Sequence, residues 1–448
     1  MKYKRIAFIF STILFFSTFV LSGCLKEKPG ISYKMPLEVW GVFDDSDAFA
    51  GINGEYANNN DQITNVKYRK ISSNLAEYEK ELFDAIASGN GPDVFFFHNT
   101  WLTQHENKIV PLPESSQYII DYKNTFVDVA ADDFIKNNQI YAMPLSNDTL
   151  ALYYNKDLIN QAGIASIPAT WNEIENITPF LTKIDPFGNI NQSAIALGRS
   201  KDPGAVNRSS DILMLMMMQN GAKIIDDRGL PMLDREQGAR KALEFYTQFA
   251  QGGNKAYTWN SNMDYSIDSF RYGKTAMMLN YSYWNWRLKE LDPKFNFGVA
   301  PAPQVDLNNK INFANYWGLA VVKSKQLKPE RPDENINYTD QDRINEAWKY
   351  IQYVTAGAGK KDDFDPTKQY LKLTKKPPAR RDLVEEMKND PELGVFAQQA
   401  LTARSWRQPD NNVVETIFID MIDEVVSGRS SVYDALKTAS SRINALRK

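Results

Sequence analysis

The segment Gly273-Lys274-Thr275 is the part of this sequence that comes closest to a motif with defined chemistry, the phosphate-binding loop. That loop needs an earlier glycine at the position that Asp268 occupies here, so the motif is broken. The chain also contains no Gly-x-Ser-x-Gly and no His-Glu-x-x-His segment. With two histidines and one cysteine in 448 residues, we expect neither a zinc site nor a Cys–His nucleophile.

Aromatic side chains and paired carboxylates are the remaining groups that could act on a ligand or hold one. Aromatic residues make up 12% of the chain, and four of the six residues from 281 to 286 are aromatic. The sequence also holds many pairs of acids, and a glycosidase needs only two facing carboxylates. On the residues alone, a hydrolase of that kind therefore stays an alternative.

Length and composition limit the architecture that must position these groups. A chain of 448 residues exceeds what one hydrophobic core usually supports, so we expect two lobes or domains. A hydrophobic content of 43% and a charged content of 24% are typical of a soluble globular protein. The formal charge of −3 argues against nucleic-acid binding, which needs a basic surface.

The amino terminus has the pattern of a secretory signal. Basic residues precede an apolar run at 6–20, which is shorter than the roughly 20 residues needed to span a bilayer. The following Leu21-Ser22-Gly23-Cys24 resembles a bacterial lipobox, whose cysteine becomes the lipidated first residue. We expect residues 1–23 to be a lipoprotein signal peptide, Cys24 to carry the lipid, and residues 24–36 to form a polar tether. A plain membrane anchor is the alternative.

Strand and helix patterns alternate in the first part of the chain. Short apolar runs predict three strands, at 37–40, 66–71 and 94–97. A helical pattern capped by Asn74 lies between the second and third runs. This alternation favours a parallel, doubly wound lobe, in which ligands bind beyond the carboxyl ends of the strands. The loops 42–45 and 98–101 fall at such ends.

Residues 140–158 form the segment on which the organisation of the chain depends. Apolar runs at 140–143 and 150–154 flank the polar Ser146-Asn147-Asp148-Thr149. Pro144 should end the first run because proline cannot donate to a strand ladder, and Asn155 should cap a following helix. The segment is either a hairpin inside one domain or a crossing between two lobes, with Asp148 facing a cleft.

The second half of the chain repeats the alternation of helices and strands. Thr170-Trp171-Asn172-Glu173 fits a capping box, and Asp234 is positioned to cap a later helix. We expect the methionine-rich segment 211–220 to be core, since flexible thioethers fill irregular interiors. A strand at 275–279 leads into the aromatic segment, and two helices close the chain.

Six segments in this chain resemble, in order, those of one protein family. They are Leu37-Glu38-Val39-Trp40, Gly91-Pro92-Asp93-Val94, residues 141–158, Pro168-Ala169-Thr170-Trp171-Asn172-Glu173, Gly273-Lys274-Thr275-Ala276-Met277-Met278 and Pro378-Ala379-Arg380-Arg381-Asp382. Each is weak alone, but together they resemble the extracellular solute-binding lipoproteins of ABC importers, family 1, the maltose-binding-protein-like group. The resemblance covers nearly all of the chain after the signal peptide.

The resemblance implies an α/β, two-lobed periplasmic-binding-protein-like fold of type II. In this fold doubly wound sheets are joined by a multi-strand hinge, and the ligand cleft lies between the lobes. The expected crossings lie near 146–150, 312–317 and 402–409. The expected N-terminal lobe is 31–146 with 315–403, and the C-terminal lobe is 147–314 with 404–448.

The resemblance also places ligand-binding residues in the loops of both lobes. A sugar offers apolar C–H faces and hydroxyl groups, which aromatic rings and carboxylates or amides can bind. The expected contacts are Phe43, Asp44, Asp45, Asn99, Trp101, Asp148, Tyr283, Trp284, Trp317 and Trp406. Asn280 and Arg208 are weaker candidates, and His98 departs from the small or polar residue usual in the family's loop. For each aromatic ring the alternative is core packing, and for each acid a solvated loop.

We therefore predict a substrate-binding lipoprotein of an ABC transporter that captures a carbohydrate and delivers it to the membrane permease. We expect no catalysis, no cofactor, no metal and no nucleic acid. The expected partners are the carbohydrate, the transmembrane subunits of the permease and the membrane that holds the lipid on Cys24, and the protein is expected to be a monomer. A surface carbohydrate-active hydrolase or lyase and a binding protein that feeds a membrane sensor are the alternatives.

Overall fold

A computed structural model describes residues 33–328, 336–357 and 364–447 of the protein. The predicted signal peptide at 1–23 and the predicted lipidation site Cys24 lie outside the described residues. Residues Lys34–Lys448 form a compact unit of their own. No helix within the described ranges has both the length and the apolar character needed to cross a bilayer.

The strands are numbered in chain order. They are β1 (Met35–Gly41), β2 (Ile63–Lys70), β3 (Val94–His98), β4 (Ile109–Val110), β5 (Ile135–Lys136), β6 (Gln139–Ile140), β7 (Met143–Pro144), β8 (Asp148–Thr149), β9 (Ala151–Asn155), β10 (Lys183–Ile184), β11 (Ile190–Ile195), β12 (Thr275–Asn280), β13 (Phe297–Ala300), β14 (Asn312–Asn315), β15 (Trp317–Val322) and β16 (Ala403–Arg404).

The helices are numbered in the same way. They are α1 (Asp47–Asn58), α2 (Leu75–Ala87), α3 (Leu102–His105), α4 (Ile119–Thr125), α5 (Asp128–Phe134), α6 (Lys156–Gln161), α7 (Trp171–Leu181), α8 (Ser209–Gln219), α9 (Gln237–Gln248), α10 (Ser266–Arg271), α11 (Tyr283–Leu291), α12 (Asp340–Ala356), α13 (Pro366–Thr374), α14 (Arg381–Met387), α15 (Gly394–Ala400), α16 (Asn411–Val426) and α17 (Val432–Ala445).

The first sheet, sheet A, has the strand order β2-β1-β3-β15-β4, and β7 also pairs with β15. Strands β1, β2 and β3 are parallel, as the alternating pattern predicted, and every residue of β3 is buried. Sheet A as a whole is mixed, because β15 runs antiparallel to β3, β4 and β7. This strand enters sheet A from a distant part of the chain rather than through a neighbouring helix.

The second sheet, sheet B, has the order β10-β11-β12-β9-β13. Its core includes the methionine-rich helix α8, in which Met214, Met216 and Met217 are buried, as predicted. Phe396 of α15 also packs in this core, with its ring centroid 6.3 Å from that of Tyr153. By packing, α15 therefore goes with sheet B, although the sequence-based boundary at 403 assigns it to the first lobe.

A third, small sheet joins the other two, and we call it the linking sheet (β8, β14 and β16). Strand β14 pairs with β8 through Ala314↔Thr149 and Asn315↔Asp148, and with β16 through Asn312↔Ala403. Each strand lies in one of the three segments predicted as crossings. The 140–158 segment is a crossing rather than a hairpin, because β7 belongs to sheet A and β9 to sheet B.

Most of the local capping signals were confirmed. The side chains of Asn74 and Asn155 accept hydrogen bonds from the first turns of α2 and α6, and Thr170 forms a capping box with Glu173. The prediction that Asp234 caps a helix was wrong, because α9 begins at Gln237. The preceding residues form a turn instead, in which the Arg235 amide donates to the Met232 carbonyl at 2.9 Å.

Candidate functional site

Loops from sheets A and B converge on the linking sheet from opposite sides. After β3, the His98 ring lies 3.1 Å from Oδ1 of Asn315 in β14. Before α11, the Ser282 hydroxyl donates to Asp148 in β8 at 2.7 Å. Because both loops follow strands of their own sheets and both bond to the linking sheet, the candidate site lies where they meet.

On the sheet A side, three aromatic rings form layers from the interior to the surface. Trp101 is 1% exposed, and its ring centroid lies 5.2 Å from that of the half-buried Trp317. Phe43, which is 44% exposed, lies edge-on to Trp317 at 5.9 Å. Phe43 and Trp317 are therefore the rings of this group that a ligand could touch, while Trp101 supports them from below.

On the sheet B side, Tyr283 and Trp284 open helix α11 and are both half-buried, with their centroids 5.7 Å apart. The exposed Arg287 lies over the Trp284 ring at 5.4 Å. Trp406 is different, since it is 7% exposed and packs in the core of sheet B, where its Nε1 lies 3.2 Å from the sulfur of Met214. The structure thus brings two of the three predicted rings of this side to the surface.

Asp44 is held within its own lobe. Both of its carboxylate oxygens accept hydrogen bonds from Nζ of Lys376, at 2.6 and 2.7 Å, and one accepts from the Tyr370 hydroxyl at 2.7 Å. These contacts join the loop after β1 to the end of α13. The neighbouring Asp45 is exposed and forms an ion pair with Lys70 at 2.9 Å. Neither interaction was foreseeable from the local sequence.

Asp148 lies at the junction of the linking sheet with helix α11. It accepts hydrogen bonds from the backbone amide of Ser282, at 3.1 Å to each oxygen, as well as from the Ser282 hydroxyl. Burial raises the pKa of Asp148 to about 6, although the bonds from Ser282 and the charge of Lys376 favour the ionised form. The carboxylate therefore has partners but is poorly solvated.

Asn99 belongs to a buried network beneath the site. Its side chain donates to Asp133 at 3.1 Å, and Asp133 also accepts from the hydroxyls of Tyr316, at 2.7 Å, and Ser405. Burial raises the pKa of Asp133 to about 6 against the lowering effect of these bonds. Asn99 has no exposed surface, and the network positions the loop after β3.

His98, Arg208 and Glu415 complete the surroundings of the site. Burial lowers the pKa of His98 to about 4, and the charge of Arg208 contributes to this lowering. The half-buried Glu415 has a raised pKa, caused by burial and then by repulsion from Asp211. Sequence analysis did not single out Glu415, since a lone acid near the start of a long helix carries no motif.

Two further observations limit the chemistry. Within the described residues, no group of three or more His, Cys, Asp or Glu side chains could hold a metal ion. A surface groove of about 730 Å³ lies away from the linking sheet, between β1, β2 and α2. Charged side chains in it pair with each other, as Arg69 does with Glu81 at 3.2 Å, so it offers no set of unpaired groups comparable to the candidate site.

Comparison with known proteins identifies similar chains. The family model for bacterial extracellular solute-binding proteins matches residues 52–361. A putative binding protein of Brucella abortus is 24% identical over 226 residues, which cover 50% of this chain and 52% of that protein. This chain therefore spans about half the length of that relative. The maltodextrin-binding protein MdxE of Bacillus subtilis is 24% identical over 389 residues, or 83% of this chain and 82% of the relative.

Solved structures support the fold. The sugar-binding protein MalE from Xanthomonas citri superposes with a TM-score of 0.71 at 20% identity, over 92% of this chain and 97% of that chain. A cyclo/maltodextrin-binding protein complexed with maltotetraose gives a TM-score of 0.68 at 17% identity, over 92% and 96%. The predicted two-lobed α/β fold of type II is thereby confirmed.

The raised pKa of Asp148 predicts how its removal changes the pH dependence of stability. The folded-state pKa of about 6 exceeds the unfolded value of about 3.9, so the folded state binds the proton more tightly. The stabilising contribution of this group is therefore fully present below pH 4 and is lost as the pH rises through 6. The free energy of unfolding should therefore decrease between pH 4 and 7.5. In the Asp148→Asn variant we expect this decrease to be smaller by about 2 kcal/mol.

Urea unfolding at constant ionic strength measures this change, with Phe187→Ala as the control, since it removes an exposed side chain that does not titrate. The control should leave the difference between the two pH values as it is in the unsubstituted protein. Equal pH dependence in the Asp148→Asn variant and the unsubstituted protein would show that this carboxyl does not hold its proton.

Proposed function

Because this chain belongs to the family of bacterial extracellular solute-binding proteins, we propose that it captures a carbohydrate between its lobes and delivers it to an ABC-type membrane permease. The family consists of binding proteins, and the similar proteins described above are named binding proteins rather than enzymes. The family also indicates a location outside the cytoplasm.

The observation that carries the carbohydrate proposal is the pair of partly exposed aromatic groups on the two sides of the linking sheet. Phe43 and Trp317 present ring surfaces on the sheet A side, and Tyr283 and Trp284 do so on the sheet B side. Such rings suit the apolar C–H faces of sugar units. The relatives named for maltodextrin and maltotriose binding support the same class of ligand.

We infer that the two lobes close on the ligand by bending at the linking sheet. The proposed lobes are 31–146 with 315–403 and 147–314 with 404–448, except that α15 packs with the second lobe. Closure is favoured only by contacts that the ligand makes better in the closed state than in the open one. Rings on both lobes would provide such contacts.

Isothermal calorimetry of the body from Lys34, with a panel of mono- and oligosaccharides, tests the ligand class. We expect at least one sugar to bind with a dissociation constant in the micromolar range or below, about −8 kcal/mol or stronger. Tight binding of peptides or amines with no binding of any sugar would reject the carbohydrate proposal.

Phe43 allows a test of the aromatic contact that does not disturb the core. We expect Phe43→Ala to weaken sugar binding about tenfold, because a lost aromatic contact costs about 1.4 kcal/mol in this range. Phe187→Ala is the matched control, since Phe187 is 89% exposed on the β10–β11 turn, away from the linking sheet. Equal affinity of both variants would place the ligand elsewhere.

We also propose that Cys24 carries a lipid that holds the protein at the cell membrane. Two acyl chains would anchor the protein stably, whereas one alone binds only weakly and reversibly. In cells fed a labelled fatty acid, the unsubstituted protein should be labelled and fractionate with membranes. The Cys24→Ser variant should lose the label. Membrane association without any label in the unsubstituted protein would contradict lipidation.

A further inference from the structure

Arg208 stands at the start of helix α8, on the sheet B side of the candidate site. Its backbone is in the left-handed region, with φ of 59°, a conformation that is costly for a residue with a side chain. Residues held in this region concentrate at functional sites. The side chain is half-buried, and its guanidinium carbon lies 5.4 Å from the ring centroid of Tyr281. Arg208 therefore lies beside the site and has a strained backbone conformation.

The guanidinium of Arg208 has few partners for its five N–H groups. Its Nε is buried without a hydrogen-bond partner, and Tyr283 is among the side chains that influence its pKa. Within the part of the chain that the structure describes, no carboxylate comes within 4.0 Å of it. A partly buried cation without an ion-pair partner is destabilising, so the arrangement suits an anion that arrives from outside.

The nearby acids do not supply that partner. Asp211 accepts a hydrogen bond from the Tyr281 hydroxyl at 2.8 Å and remains beyond ion-pair distance of Arg208. Glu415 has a raised pKa, because of burial and then the charge of Asp211, so its proton is retained more readily. The charge of Asp211 acts on Arg208, but neither carboxylate lies within 4.0 Å of the guanidinium nitrogens.

Of the other cations near the site, the exposed Arg287 is solvated and Lys376 is already paired. Lys376 donates to both oxygens of Asp44, and the pKa of His98 is lowered to about 4, mainly by burial, so that its ring is neutral at pH 7. Arg208 is thus the partly buried cation beside the site that has no ion-pair partner among the described residues. A ligand with one negative charge could form an ion pair with the Arg208 guanidinium.

We propose that the captured carbohydrate is acidic, and that Arg208 binds the carboxylate of a uronic acid unit while the aromatic rings hold its sugar faces. This inference rests on the proposed function and names the class of sugar. A planar guanidinium matches a carboxylate through two parallel hydrogen bonds, which an ammonium group or an uncharged amide does not reproduce. A neutral sugar would leave the charge of Arg208 unpaired in the closed site.

Calorimetry of the body from Lys34 with matched pairs of oligosaccharides tests the proposal. Each pair has the same linkage and length and differs only at C6, as trigalacturonate differs from α-1,4-galactotriose; a sulfated trisaccharide is included to separate carboxylate from sulfate. We expect the uronide to bind at least tenfold more tightly than its neutral partner, and this preference to fall as salt is raised.

The variants assign the preference to one residue. Arg208→Gln should abolish the preference for the uronide, and Arg208→Lys should retain part of it. Arg240→Gln is the matched control, since Arg240 is exposed on α9 and pairs with Glu244 at 2.8 Å, and it should change nothing. If Arg208→Gln fails to fold, as thermal unfolding would reveal, the lysine variant and the salt dependence still decide the question.

The failure of this inference differs from the failure of the proposed function. Equal or tighter binding of the neutral partner would overturn the acidic ligand and leave a carbohydrate-binding protein. Tighter binding of the sulfated sugar than of the uronide would overturn the carboxylate. Binding of no sugar at all would reject the function and the inference together.

Discussion

The pairing of the three short strands β8, β14 and β16 is the constraint on which the geometry of the site depends. Few backbone bonds join these strands, although Phe313 of β14 packs in the core of sheet B, so the backbone connection between the two large sheets is narrow. Asp148 and Asn315 are opposite each other in this pairing. Asp148 accepts a hydrogen bond from Ser282, just before α11, and Asn315 contacts His98 at the end of β3. Both sides of the site are therefore fixed to the same pair of strands.

The carboxylates around this sheet show how environment assigns roles to one residue type. Asp44 has an ammonium group against both oxygens and is held as part of a salt bridge. Asp133 and Asp148 have only neutral hydrogen-bond donors within bonding distance, and burial raises the pKa of each to about 6. Since hydroxyl and amide donors compensate a charge less than an ammonium does, the bonds to these two acids do not offset the effect of burial on their pKa.

The aromatic residues divide in a similar way between support and contact. Trp101 and Trp406 are buried, one beneath Trp317 and the other against Met214, while Phe43 is largely exposed. Tryptophan and phenylalanine contribute large apolar areas both in the core and at a binding surface. Their presence in a loop therefore does not indicate whether they pack in the core or contact a ligand. The layering around Trp317 means that the exposed rings rest on a rigid base.

The sequence by itself determined the features that depend on residues close together in the chain. Capping by Asn74, Asn155 and Thr170, the buried methionine-rich helix and the strand that follows Asp148 were all predicted, because each depends on contacts within a few residues. The crossings and the two-lobed fold were predicted from segments in family order. The Asp234 cap failed even locally, since a turn closed by the Arg235 amide and the Met232 carbonyl precedes the helix.

Only the tertiary structure decided which candidate side chains reach the site. Lys376 contacts Asp44 across 332 positions. Asp133, to which Asn99 donates, also accepts a hydrogen bond from Ser405, 272 positions away. The unpaired guanidinium of Arg208 is likewise visible only once the distances to every neighbouring acid are known. Such contacts leave no periodic trace in the sequence, because the pairing of two distant residues is set by how whole sheets and helices pack.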